Sequence, residues 1–192
     1  MTASRLKNIP ALLSALLIFL VSYTALSALF LKATPHFTGW MLPMYSFVIE
    51  RAYPENKLVS IENMGESIMY HMKIHKYIKG VDLPLVDTLV DSIHSSFQFV
   101  TLIIYYSLLF AWPGLAARKK LIALAAALPI LILFILIDIP VTIISSIDLA
   151  TIQKLRGIPL ADSLPRKIIL FLSHFINNGG RQFFAVALFI LT

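Results

Sequence analysis

The sequence predicts an all-α membrane protein, with four transmembrane helices and a small extracytoplasmic α+β insertion between helices one and two. Three observations lead there. Hydrophobic residues make up 58% of the 192-residue chain, charged residues only 14%, and the mean hydropathy is +0.83. A soluble domain carries about a quarter charged residues. Residues 9–31, 95–112, 121–147 and 168–192 are each apolar enough to cross a hydrocarbon layer of about 30 Å, which takes roughly 20 helical residues. Between the first two lies a stretch with strand-like alternation. The domain organisation that follows is an N-terminal transmembrane anchor (1–33), the extracytoplasmic insertion (34–93) and a three-helix transmembrane bundle (94–192).

The first span opens after Arg5 and Lys7, as a signal peptide would, but its apolar run is longer than the roughly 7–15 residues of a signal core. Leu31-Lys32-Ala33 also offers no small-x-small cleavage site, so the segment reads as a retained anchor. Basic residues collect on the cytoplasmic side of membrane helices. Arg5 and Lys7, and Arg118-Lys119-Lys120 in the turn between the second and third spans, therefore place both termini inside an inner (plasma) membrane of bacterial type. Lys73, Lys76, Lys79, Lys154, Arg156, Arg166 and Lys167 argue the other way by number, but the first helix usually dominates orientation. The net charge of +6 is spread over loops rather than gathered in a stripe, which suits anionic lipid headgroups and not nucleic acid.

Within the insertion, residues 40–49 are aromatic and apolar but too short to span. They read either as a short helix at the headgroup level, where Trp and Tyr are favoured, or as a packed helix of the small domain. Lys57 to Glu62 alternates, Met64-Gly65-Glu66 can turn, and Ile68 to Ile78 alternates again. Ile68, Tyr70, Met72, Ile74 and Ile78 share one strand face, while His71, Lys73 and His75 take the other. Two strands alone are marginal, so the apolar face needs a cover: the membrane surface, the 40–49 helix or a partner. The second helix is expected to start near residues 84–94, where Pro84, Asp87 and Asp91 suit a helix N-terminus.

The candidate site is an intramembrane polar cluster of Gln98, Asp138, His174, Asn177, Asn178 and Arg181. A charge at the helix centre costs about 2.5–3.5 kcal/mol on insertion scales, so Arg181 should have a partner or a task. At 1.5 Å per residue, Asp138 lies roughly 12 Å below the outer end of the third span, with His174 about 9 Å and Arg181 about 20 Å below that of the fourth. A guanidinium that snorkels outward could reach Asp138, either as an ion pair locking the two helices or as part of a cavity. Pro140 should kink the third span, and Gly179-Gly180 should loosen the fourth.

Several chemistries find no motif. No H-E-x-x-H, G-x-S-x-G or phosphate-cradling glycine loop occurs, and the absence of cysteine removes thiolate catalysis and thiolate metal sites. His71 and His75, four apart on a strand, stand about 13 Å from each other and cannot share a metal. No metal, cofactor or catalytic residue is assigned. The lipid bilayer and other membrane proteins are the expected partners.

The layout, with Leu42-Pro43-Met44-Tyr45, Ala111-Trp112-Pro113 and Asn178-Gly179-Gly180-Arg181, resembles small accessory membrane proteins of bacterial exosortase systems, the exosortase-H-associated type in particular. Exosortases themselves use a catalytic Cys, Arg and His. This chain has Arg181 and His174 but no cysteine, so the resemblance implies an accessory part in sorting or exporting envelope proteins. The expected function is thus a non-catalytic integral membrane subunit. The alternatives are a binder or transporter of an anionic solute or lipid using Arg181, and a membrane enzyme using Asp138 and His174.

Overall fold

The computed structural model describes residues 9–52, 56–78, 81–154 and 164–192. The protein is mostly helical with one small three-stranded sheet. In chain order the elements are α1 (Ile9–Ala52), β1 (Asn56–Asn63), β2 (Ser67–Ile78), β3 (Val81–His94), a 3₁₀ turn (Ser95–Phe99), α2 (Val100–Ala111), α3 (Ala117–Lys154), α4 (Leu164–Phe175) and α5 (Arg181–Leu191). Among the described residues, two helices, α1 and α3, are long and apolar enough to cross a membrane, which points to membrane association; α2 and its preceding turn form a shorter apolar helix.

The helix α1 is longer than the expected anchor. Residues 40–49 do not form a separate helix; they continue α1, which runs on through Pro35 and Pro43. Met41, Tyr45 and Ile49, spaced by four, are fully buried, whereas Trp40, Met44 and Phe47 are exposed. One face of this segment therefore packs, as in the second of the two expected readings.

The sheet differs from the expected hairpin by a whole strand. Residues 81–94, expected to open a helix, form β3, antiparallel to β2 from Ser67↔His94 to Ile78↔Val81. The reason lies in Val86-Asp87-Thr88-Leu89-Val90, whose β-branched residues at alternate positions suit a pleat better than a helical turn. The sheet order is β1-β2-β3. The turn between β1 and β2 falls where Met64-Gly65-Glu66 was expected to place it, with Gly65 at φ +86°, a conformation glycine adopts without a Cβ clash. Asn63 Oδ1 accepts from Gly65 N at 3.0 Å, and Met64 N donates to Ser67 O at 2.8 Å.

The chain forms two compact units. The first comprises Met1–Lys32, Phe99–Leu133 and Gly180–Thr192. In it α2 packs against α5, burying Leu102, Ile103 and Leu109 on one and Ala185 and Leu188 on the other. Ala123, Ala127 and Leu131 form the buried line of α3, one every fourth residue, so that only a narrow helical stripe is covered. Tyr105 Oη donates to Ala123 O at 3.1 Å and shares a 3.0 Å hydrogen bond with Thr192 Oγ1. Lys120 Nζ donates to Phe110 O at 2.7 Å, satisfying a carbonyl in the last turn of α2 with a cation, which also suits the helix dipole.

The second unit comprises Ala33–Gln98 and Phe134–Gly179. Ile68, Tyr70 and Met72 turn the expected apolar face of β2 into its core, joined by Leu58 and Leu89 from the flanking strands. Here α3 buries Ile135, Ile139, Val141, Ile143, Ile144 and Ile147, a wider face than in the first unit, while Ile137 and Leu149 stay exposed. The Tyr70 hydroxyl meets Ser146 of α3 at 2.7 Å, and Asn63 Nδ2 donates to the Pro35 carbonyl of α1. The chain's own helices therefore cover the sheet face for which a membrane surface or partner had also been considered.

The expected fourth span is interrupted. Helical geometry fails at Asn178 (φ −100°, ψ 35°) and at Gly179 (φ 106°, ψ 0°). Only glycine adopts such a positive φ at little cost, so Gly179 divides the apolar run into α4 and α5, of 12 and 11 residues. At 1.5 Å per residue each reaches about 17–18 Å, short of a bilayer on its own.

Candidate functional site

The polar groups singled out in the sequence are distributed over both units. Gln98, Asp138, His174, Asn177 and Asn178 belong to the second, and Arg181 to the first. Arg181 is the first residue of α5 and is 9% exposed.

In the second unit two arrangements emerge. The first is a buried hydrogen-bonded layer. The 3₁₀ turn after β3 carries Gln98 inward at 0% exposure, where its Oε1 accepts from Tyr45 Oη at 2.7 Å and its Nε2 donates to Thr38 Oγ1 at 2.9 Å. Thr38 and Tyr45 are seven apart, two turns of α1, and therefore lie on one face with Thr34, Met41 and Ile49. Asp138 is also 0% exposed, and its Oδ1 accepts from Thr142 Oγ1 at 3.4 Å one turn further along α3. Another turn on, Ser146 meets Tyr70, whose hydroxyl donates to Asp91 Oδ2 at 3.1 Å. Burial pushes the Tyr70 phenol well above its ordinary ionisation range, and the Asp91 carboxylate adds to the shift, so this hydroxyl stays protonated and available as a donor.

The second arrangement is a groove of about 570 Å³ between α3 and α4. Leu149, Leu170 and Phe171 supply apolar walls, and Ser145, Ser173, His174 and Asn177 supply polar groups. Leu170, Phe171, His174 and Asn177 recur at three- and four-residue spacing, so one face of α4 and its extension lines the groove. Asn177 Nδ2 donates to Ser173 Oγ at 3.3 Å, and Asn178 Nδ2 donates to the His174 backbone carbonyl at 2.8 Å. The latter bond satisfies one of the carbonyls freed where the helix breaks. The groove is open, with Leu149 and Phe171 largely exposed, so it offers an apolar surface with a few polar groups rather than an enclosed pocket.

The expected cluster thus resolves into parts with different surroundings. His174 and Asn177 share the groove. Gln98 is committed to Tyr45 and Thr38, and Asp138 lies in the buried layer. Among the described residues no three His, Asp or Glu side chains gather as metal ligands would. The sequence reading missed Ser145, Ser146 and the fully buried Asp148, and it placed Tyr70 only on the apolar face of β2. A signal for part of this set existed: Asp138, Thr142 and Ser145/Ser146 recur every three to four residues in an otherwise apolar helix, which marks one face. Tyr70 had no such signal, because its partners come from distant segments.

Known protein families, characterised proteins and solved structures were compared with this chain, and none of them matches it.

Proposed function

We propose that this chain is a non-catalytic integral membrane subunit of a larger assembly. In this reading four segments cross a bacterial-type inner membrane, both termini are cytoplasmic, and the sheet-bearing insertion is extracytoplasmic. The accessory role is in export or sorting of envelope proteins, as the likeness to exosortase-associated proteins implies.

The observation that carries the reading is how the buried polar groups of the second unit are used. Both ends of the Gln98 amide are taken up by Tyr45 and Thr38, and the Tyr70 hydroxyl is held by Ser146 and Asp91. Groups committed in this way fix helices and sheet against one another, as satisfied buried networks do. A catalytic group, by contrast, must be within reach of a substrate. The outward surface of α1 from Leu12 to Leu31 is mostly aliphatic, with Ser14, Tyr23 and Thr24 among its exposed residues, and it suits lipid or an apolar partner helix.

The test is purification of the tagged protein from its native membrane in mild detergent, with mass spectrometry of what remains bound. A stoichiometric protein partner is expected; recovery of the chain alone would sink the accessory reading. The second reading, a binder of an amphiphile or lipid, is favoured by the groove that holds His174 and Asn177. A lipid retained in place of a partner, and lost on Phe171→Asp, would replace the first reading with the second.

A further inference from the structure

The outer face of the sheet carries a juxtaposition that its own stability does not explain. Lys57 on β1 stands directly opposite Lys73 on β2, and Lys73 is in turn opposite Thr88 on β3. Directly opposed side chains in an antiparallel pair have Cβ atoms about 4.5–5.5 Å apart, and like charges there are destabilising. Both lysines are exposed, and neither makes a hydrogen bond or ion pair with a described residue. Next along β2, His71 pairs with Ser60 and Val90. Glu62, on the same face, pairs with Met69. Met69 is four residues from Lys73, about 13 Å at strand rise, so Glu62 does not neutralise the pair. Val59, at the β1 irregularity between the lysine and histidine rows, is 51% exposed, and Val90, in the histidine row, is 53% exposed.

We propose that this face docks an extended acidic segment of a partner protein, its carboxylates against Lys57 and Lys73 and its apolar side chains over Val59 and Val90. Successive same-side residues of an extended segment are about 6.6 Å apart, which matches the row spacing of the sheet. A lipid surface is the poorer match, since headgroup recognition gathers some four to eight basic residues. The inference deepens the accessory-subunit reading and rests on it for the existence of a partner.

The test uses the full chain in phosphatidylcholine nanodiscs, with a fluorescent eight-residue Glu-Ser-Val-Ser-Glu-Ser-Val-Ser peptide (the Glu–Val peptide), whose Glu and Val alternate along one face, and its counterpart with Gln for Glu (the Gln–Val peptide). The Glu–Val peptide should bind saturably and lose affinity as salt rises, and the Gln–Val peptide should bind at least about tenfold more weakly. Lys57→Gln/Lys73→Gln should abolish the preference between the peptides. The same double variant should raise the unfolding midpoint by about 1–3 °C, since the opposed charges are gone. That gain also shows that the variant is folded. Equal binding of the two peptides, or a preference that survives in the double variant, overturns the proposal. So does lysine-dependent capture of phosphatidylserine vesicles without lysine-dependent peptide binding, which would make the face a lipid contact. A partner recovered from native membranes alongside failed peptide binding would remove only this inference. Lysine-dependent peptide binding with no partner recovered would remove the accessory reading and leave the docking face.

Discussion

The two halves of α1 belong to one helix but follow different rules. From Leu12 to Leu31 no residue is buried; Ala15, Phe19, Ser22, Leu26 and Phe30 form a half-covered line, and Leu12, Leu13, Leu16 and Leu17 are bare. From Thr34 onward the same three-to-four spacing continues through Thr38, Met41, Tyr45 and Ile49, and every one of these is buried. In the second half hydroxyl groups lie on the covered face, while Trp40, Met44 and Phe47 lie on the bare one. Helical periodicity therefore marks which face will pack, and what packs on it sets the depth of burial. A hydroxyl on a buried face also needs a polar partner from elsewhere, which Gln98 provides.

The sharpest break in this comparison should come from Gln98→Leu. The change leaves the Tyr45 and Thr38 hydroxyls without their buried partner, and each unsatisfied group costs about 1–3 kcal/mol. A loss of about 2–4 kcal/mol is expected from thermal unfolding in detergent. A loss under about 0.5 kcal/mol, the range of neutral surface changes, would mean that the layer is not holding the second unit together.

Next in size is Gly179→Ala, which forces a Cβ into φ 106° and should cost at least about 1–2 kcal/mol. If that variant were instead stabilised, α4 and α5 would have to form one straight helix in the membrane, and the break at Gly179 would be wrong. Tyr70→Phe removes the bonds to Ser146 and Asp91 and should cost about 1–2 kcal/mol. It should also change the alkaline limb of stability. Because burial raises the folded-state ionisation of Tyr70, the unfolded chain ionises first, near the ordinary value of about 10. The native state then holds the extra proton, so its stability falls as pH rises above about 10. The Phe variant should lack this contribution, and identical alkaline limbs for the two proteins would sink the assignment.

The smallest effect belongs to the bare half. Leu16→Ala should change stability by less than about 0.5 kcal/mol in the purified chain, since Leu16 is 54% exposed. A cost near that of Gln98→Leu would show that a second chain packs there, and the contrast between the halves would then belong to the isolated subunit only.

Much of the architecture was legible because hydropathy and periodicity are local. Residues 121–147 announce a long apolar helix, and α3 contains them all. The alternation of Ile68, Tyr70 and Met72 announces the buried face of β2, and Gly65 announces its turn. β3 was misread because Pro84, Asp87 and Asp91 are helix-start signals in isolation, while pairing to β2 is a non-local reward that overrides them. Asp138, His174 and Arg181 stood out one by one as residue types out of place in an apolar chain, but composition and spacing did not say which side chains each would meet.

The sequence by itself determined the long apolar run of α3, the buried face of β2 and the turn before it. Those follow from composition and spacing, which every residue carries with it. Only the tertiary structure decided that α1 continues through two prolines, that the sheet has three strands, and that Gln98 meets Tyr45 and Thr38 across more than 50 residues of chain. Each of these depends on a partner distant in sequence, whose interaction energy outweighs a local preference. Lys57 opposite Lys73 is of the same kind. In sequence they are two ordinary surface lysines, and only the strand register turns them into an opposed pair.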